Sequence, residues 1–254
     1  MMTSPTQQGS PMPDPSAEES GRLVVRRVGG EHPCPYLPGR VATLVGASLM
    51  PGQRLSPAAH ETLLARNFRR SGHVVYQPLC TECSACRSIR VPTAAFRPSR
   101  SQRRNWRRNS DLDVTIDAPW PSAEKHDIYA RYLRDQHDGT MSDDPGAFEA
   151  FLYDSPTESR EIIYRLDGRI VAVSLVDCVP GGMSSVYTYF DPADKRRGLG
   201  TYSALWEIDH CARMGWPYYY LGFYVGGCAK MSYKAAFRPN EILDPVLGWT
   251  AFRT

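Results

Sequence analysis

The order of hydrophobic patterns in this 254-residue chain predicts an α+β fold, an antiparallel or mixed sheet with helices against it. Three stretches carry the prediction. Residues 160–192, "REIIYRLDGRIVAVSLVDCVPGGMSSVYTYFDP", hold three strand-like runs separated by the turn formers Asp167-Gly168 and Pro180-Gly181-Gly182. Residues 193–216, "ADKRRGLGTYSALWEIDHCARMGW", pass from a glycine turn into an amphipathic helical pattern. "YYYLGFYV", from Tyr218, then reads as a last buried strand.

The stretch 1–22 is polar, proline-rich and without apolar periodicity, so it is expected to be a disordered tail. A first unit is expected over 23–110. "LVVRRV" opens it as a strand, prolines around Cys34 force turns, and "GRVATLVGASL" supplies the next strand. Ser56 caps a helix carrying Leu63, Leu64 and Phe68 that runs to "RRSG". "HVVYQPL" is a strand delivering Cys80, "SIRVPT" is another, and "RPSRSQRRNWRRN" is a basic helix. A second unit is expected over 111–254. There Ser122 caps a helix with Ile128, Tyr132 and Leu133, and "DPGAFEAFLYD" forms a shorter one ahead of the three strands, glycine turn, helix and last strand.

No run approaches 18 apolar residues and the first thirty residues lack an apolar signal core, so a soluble, cytoplasmic protein is expected. In a reducing compartment its seven cysteines are free thiols rather than a disulfide framework. Cys80, Cys83 and Cys86 recur at every third position in "CTECSAC". With Cys34 they make a four-thiolate set suited to zinc or an iron–sulfur cluster, the alternative being structural or redox-sensing thiols. Cys178, Cys211 and Cys228 stand singly in apolar surroundings and read as core fillers.

A net charge of +3 hides a basic segment, because Arg87 to Arg108 holds eight arginines and no acid. Arg97, Arg100, Arg104 and Arg107 share one stripe of the expected helix and Arg103 stands beside them. Trp106 is interleaved as a stacking or packing residue. Such a run neutralises the phosphates of a nucleic acid, or else forms a solvated basic face.

"KRRGLG" matches, apart from Lys195, the arginine- or glutamine-x-x-glycine-x-glycine turn of the Gcn5-related acetyltransferase fold. There, unpaired N–H groups at a helix N-terminus cradle a pyrophosphate. Gly198 and Gly200 let the backbone approach a ligand closely, and "SVYTYF" ends where that fold splays its strands to admit the acyl donor. The expected architecture is an N-terminal cysteine-cluster domain followed by a C-terminal acetyltransferase-like antiparallel or mixed sheet with flanking helices. A CoA-dependent N-acetyltransferase alone does not explain the cysteines and arginines of the first half.

The stretches "HPCPYLPGR", "NFRRSG", "CTECSACRSIRVP", "FRPSRSQRR", "YLRDQHDGTM", "SSVYTYFDP", "GLGTYSALWEI", "YYYLGFYV" and "KMSYKAAFRPNEIL" together resemble the bacterial aspartate/glutamate leucyltransferases, relatives of the arginyl-tRNA–protein transferases. The resemblance runs from Glu31 to about Trp249. That family usually has serine where Gly198 stands and often proline where Ser88 stands. The resemblance implies an acetyltransferase-like half that uses an aminoacyl-tRNA instead of acetyl-CoA, so no CoA is expected. It further implies transfer of leucine from leucyl-tRNA to proteins beginning with Asp or Glu, which marks them for the degradation machinery.

An aminoacyl ester is already activated, so the chemistry needs positioning, amine deprotonation and oxyanion stabilisation. Only about a tenth of a free α-amine is unprotonated at pH 7. His137, in "QHDGTM", is the candidate general base, its alternatives being a carboxylate-binding or structural histidine. Tyr187 and Tyr189 orient substrate, relay a proton, or simply pack. Arg69 and Arg70 are candidates for the acceptor's acidic side chain, Lys234 with its neighbour Tyr233 for that carboxylate or a phosphate, and Gly198 and Gly200 for the substrate loop. Arg97, Arg100, Arg103, Arg104 and Arg107 are expected to hold the tRNA backbone. The competing readings are an arginyl transferase, a CoA-dependent acetyltransferase, and a non-catalytic tRNA-binding protein with a zinc module.

Overall fold

The computed structural model describes residues 24–49, 53–136 and 141–252. A small antiparallel sheet is built from β1 (Val24–Pro33), β2 (Val41–Ser48), β3 (Arg69–Ser71) and β4 (Val74–Pro78), in the spatial order β1-β2-β4-β3. Between β2 and β3 lies α1 (Pro57–Leu64), whose first turn is fixed by the Ala59 N–H donating to Ser56 Oγ at 3.3 Å. This helix stops short of the expected "RRSG". Asn67 takes φ +65°, which turns the chain and sends Arg69 and Arg70 out along a strand.

The large sheet has eight strands, in the order β12 (Gly248–Ala251), β11 (Glu241–Asp244), β5 (Arg87–Pro92), β10 (Tyr218–Tyr224), β9 (Gly182–Phe190), β8 (Arg169–Val179), β7 (Ser159–Leu166), β6 (Asp113–Asp117). Every neighbouring pair is antiparallel except β9 and β10, which run parallel and are joined through α5 (Leu199–Arg213). Strand β5, which follows the cysteines directly, lies inside this sheet between β11 and β10.

Strand periodicity sets the two buried faces. Ile162 and Tyr164 pack with Leu205 and Ile208 of α5. Ile163 points the other way, joining Ile128 and Leu133 of α3 (Ala123–Gln136) and Phe148 and Leu152 of α4 (Pro145–Leu152).

The basic helix α2 (Arg100–Arg108) begins with a reciprocal capping box between Ser99 and Gln102. Trp106 packs on Tyr202 of α5, ring centroids 5.6 Å apart, so it serves packing rather than presenting a stacking face. Arg97 precedes the helix and is not part of its stripe; its guanidinium donates to the carbonyls of Ala94 and Phe96. Strands β6, β11 and β12 are absent from the sequence expectation. All three are short, β6 and β12 lie at the two edges of the sheet, and β6 ("DVTID") alternates exposed polar residues with half-buried ones, a pattern that buries too little to announce itself. Among the described residues no helix is long and apolar enough to cross a membrane.

Candidate active site where two strands part

Strands β9 and β10 pair only over Tyr218 with Gly182, Tyr219 with Met183 and Tyr220 with Ser184; beyond that level they separate. Each carries an extra residue there. The β8–β9 register shifts between Leu175/Tyr187 and Val176/Ser185, leaving Val186 unpaired. The β5–β10 register shifts between Tyr220 and Gly222, leaving Leu221 unpaired. Bulges of this kind bend a strand and release backbone groups from the ladder, so the parting strands enclose a cleft edged with unladdered peptide.

Two cations occupy this parting. Arg69 of β3 spans it, Nη1 donating to Ser184 Oγ at 3.2 Å on β9 and Nη2 to the Gly222 carbonyl at 2.9 Å on β10, while its buried Nε has no partner. Lys234 reaches it from the 3₁₀ turn Tyr233–Ala236, which follows α6 (Ala229–Ser232). Its Nζ donates to the Phe223 carbonyl at 2.8 Å and lies 3.2 Å from where a Cβ on Gly222 would stand. Both side chains are buried, and among the described residues neither is ion-paired with a carboxylate. Burial lowers Arg69 to about 10. Burial first, and then the Arg69 charge, lower Lys234 to about 7.

The glycine turn is tied to α2. Asn105 Nδ2 donates to the carbonyls of Arg197 (2.9 Å) and Gly198 (3.1 Å), Asn109 Nδ2 to that of Arg197 (3.0 Å), and Arg108 Nη1 to that of Arg196 (2.7 Å). Gly198 sits at φ +68° as the N-cap of α5, and Gly200 falls in that helix's first turn. Arg100, Arg103, Arg104 and Arg107 are exposed on α2, and the exposed Arg196, whose carbonyl accepts from Arg108, adjoins them, an extension the sequence reading did not include; Lys195 is instead 3.6 Å from the Asp135 carboxylate.

A family model described as "Arginine-tRNA-protein transferase, N terminus" matches residues 32–104, and one described as "Arginine-tRNA-protein transferase, C terminus" matches residues 124–244. The aspartate/glutamate leucyltransferase of Nitrosococcus oceani is 43% identical over 83% of this chain and 89% of its own length. That of Hahella chejuensis is 38% identical over 87% and 95%. The chain belongs to the aspartate/glutamate leucyltransferase family. It is an aminoacyltransferase. Among solved structures, FemX superposes with a TM-score of 0.46 at 12% identity, over 83% of this chain and 82% of that one. A GCN5-related N-acetyltransferase from Kribbella flavida gives 0.37 at 14%, over 80% and 79%.

Two other residues expected in the transferase's site, Arg70 and Tyr189, fall elsewhere. Arg70 is committed inside the fold, with Nε and Nη2 on the Asp177 carboxylate at 2.9–3.1 Å and Nη1 on the Gly72 carbonyl at 3.0 Å, which leaves no free fork for a substrate. The buried Asp177 also accepts from Ser159 Oγ at 2.7 Å, and its charge requires that pairing. Tyr189 is fully buried, its hydroxyl 3.3 Å from that of Tyr153, which donates to Glu161; it packs between sheet and helices rather than lining the cleft. Tyr187 is half-buried against Phe151 and Tyr132, its hydroxyl donating to Met141 Sδ at 3.8 Å. Tyr233 is 49% exposed beside Lys234. His137 lies outside the described residues.

Cys34, Cys80, Cys83 and Cys86 line one cavity of about 990 Å³, with Tyr36, Tyr76 and Phe223. Burial, and then the thiols of Cys34, Cys80, Cys83 and Cys228, push the Cys86 thiol up to about 12, and the Leu37 N–H donates to Cys34 Sγ at 3.4 Å. In chemistry this donor set suits a soft metal. Among the described residues, however, no three His, Cys, Asp or Glu side chains converge closely enough to hold one ion. Of the three supposed core fillers, Cys211 is fully buried in the main core. Cys178 is only part-buried, and Cys228 caps α6 within the influence of the clustered thiols. Asn67 ties this corner to the cleft: its Nδ2 donates to the Cys86 carbonyl, and its Oδ1 accepts from the N–H and hydroxyl of Ser88, each at 2.8 Å.

Proposed function

We propose that this chain joins leucine, carried as an ester on leucyl-tRNA, to the α-amine of proteins whose first residue is Asp or Glu, a cytoplasmic tag for degradation. The observation that carries the reading is the buried guanidinium of Arg69, with Lys234 beside it and, among the described residues, no carboxylate paired to either, where β9 and β10 part. A cleft between diverging parallel strands admits a ligand, and an uncompensated positive field inside it favours an acidic acceptor. Unladdered peptide around Val186 supplies N–H donors of the kind that stabilise the oxyanion formed when the amine attacks the ester. The exposed arginines of α2, with the adjoining Arg196, hold tRNA phosphates without reading sequence.

Cys34, Cys80, Cys83 and Cys86 share one cavity but would have to draw closer together to hold a zinc ion or an iron–sulfur cluster, and the role of such a group would be structural, fixing the segment that enters the large sheet as β5.

The test is transfer of radiolabelled leucine, and separately arginine, from charged tRNA to peptides beginning with Asp, Glu or Ala. Leucine on the Asp and Glu peptides alone is the expected result. Arginine transfer would reassign the donor, and acetyl transfer from acetyl-CoA in place of either would overturn the reading.

A further inference from the structure

We propose that Lys234 is the proton carrier of the reaction, taking a proton from the attacking amine and delivering it to the departing ribose oxygen of the tRNA. The proposal rests on the aminoacyl-transfer reading and goes beyond it by converting an expected anion-binding cation into an acid–base group.

Its position argues first. The Phe223 carbonyl that holds Nζ is one residue past the irregularity at which β10 leaves both its antiparallel partner's register and β9 altogether. Nζ therefore stands at the cleft, and the hydrogen bond to a strand carbonyl fixes its direction.

The groups facing it argue second. Arg69 comes from β3, the Phe223 carbonyl from β10, Met231 Sδ at 3.9 Å from α6, and the Cys228 thiol from that helix's N-cap. No carboxylate among the described residues pairs with Nζ. A buried ammonium beside a guanidinium and without a counterion is disfavoured, whereas a neutral amine is satisfied by donating one N–H to Phe223 and keeps a lone pair to offer. Burial and Arg69 act in that direction and Cys228 against it, leaving the group near 7, close to the range of a peptide α-amine. Matching of this kind makes proton exchange between the two nearly thermoneutral.

The step balances as follows. The acceptor enters as its free amine, having lost one proton to solvent. Its nitrogen forms the C–N bond to the leucyl carbonyl carbon, and the carbonyl oxygen becomes the oxyanion. Lys234 Nζ accepts the proton now in excess on that nitrogen. As the oxyanion re-forms the carbonyl and the ester C–O bond breaks, the lysinium gives the same proton to the 3′-terminal ribose oxygen and returns to neutral.

Arginine and glutamine at this position separate a proton carrier from a cationic anchor, because arginine keeps the charge but does not deprotonate. Single-turnover transfer from leucyl-tRNA to an Asp-initiated peptide is measured for the wild type, Lys234→Arg, Lys234→Gln and Lys234→Ala, together with leucyl-tRNA binding. Wild-type transfer establishes the underlying reaction independently of the variants. Both Lys234→Arg and Lys234→Gln are expected to lose about 100-fold or more in rate while binding leucyl-tRNA within about threefold. Below pH 6.5 the log of kcat/KM for the wild type should rise with a slope near two, for Lys234 and the acceptor amine, and the slope should fall to one in Lys234→Arg. Added ethylamine should restore part of the activity of Lys234→Ala. Retention of at least a third of wild-type rate in Lys234→Arg, an unchanged slope, or no rescue by ethylamine over a range of concentrations would each overturn the proposal.

Discussion

Two places in this fold bury a lysine and an arginine, and they treat them in opposite ways. On the side of β7 and β8, Lys125 is paired with Glu161, and Arg70 grips Asp177 with two nitrogens. At the parting of β9 and β10, Arg69 and Lys234 are also enclosed, but their hydrogen bonds go to a hydroxyl, to backbone carbonyls and to the Met231 thioether. A paired buried charge is a structural feature whose removal leaves a costly partner behind. An unpaired one, placed where strands separate, keeps its field for something that arrives from outside. Burial alone therefore does not mark a cation as functional; among the described residues, what sets the proposed site apart is the missing carboxylate partner.

The comparison can be broken most forcefully on its paired side. Lys125→Met strands the Glu161 carboxylate, which is then held only by the Tyr153 hydroxyl, and should lower unfolding free energy by about 3–5 kcal/mol in urea denaturation. The folded fraction should retain its transfer rate; loss of transfer without loss of stability would erase the distinction between the two regions.

A second, smaller effect sharpens the same region. His60 is buried 3.9 Å from Asp177 with its Nδ1 unpartnered, and burial chiefly lowers it from 6.5 to about 4. Between those values the unfolded chain binds a proton the folded chain refuses. Stability present above pH 6.5 is therefore lost as pH falls toward 4, by up to about 3 kcal/mol. His60→Gln should flatten that part of the stability curve, and an unaltered curve would mean that His60 does not titrate as its surroundings require.

Smallest is the effect expected on the exposed basic surface. Changing Arg103, Arg104 and Arg107 together to glutamine should weaken tRNA binding about tenfold at moderate salt and reduce the slope of log affinity against log salt by about 2. Leucyl and uncharged tRNA should be affected alike, since phosphate contacts do not report the amino acid.

How much of this was legible in the sequence depends on how far apart the partners lie. The strands of the meander, the glycine turn before α5 and the capped start of α2 are local patterns, and the structure places them where those patterns lie. The helix that ends at Leu64 does so because of Asn67, whose left-handed conformation is tied to Cys86 and Ser88 through hydrogen bonds that spacing cannot reveal. Arg69 and Arg70 are the sharpest case. As neighbours of identical type they look equivalent, and only Asp177, 107 residues beyond Arg70, makes one structural and leaves the other at the cleft. Cys228 likewise joins the thiol corner through the fold rather than through any motif.

The most direct measurement compares Arg69→Gln with Arg70→Gln in one experiment that reads both urea unfolding and single-turnover leucyl transfer. The account predicts that Arg70→Gln loses about 3 kcal/mol or more of stability while its folded fraction still transfers leucine. Arg69→Gln should lose only about 1–2 kcal/mol but most of its transfer to Asp-initiated peptides, with its acidic limb moved to higher pH because one of the two influences lowering Lys234 is gone. The reverse pattern, an active Arg69→Gln and a stable but inactive Arg70→Gln, would contradict it.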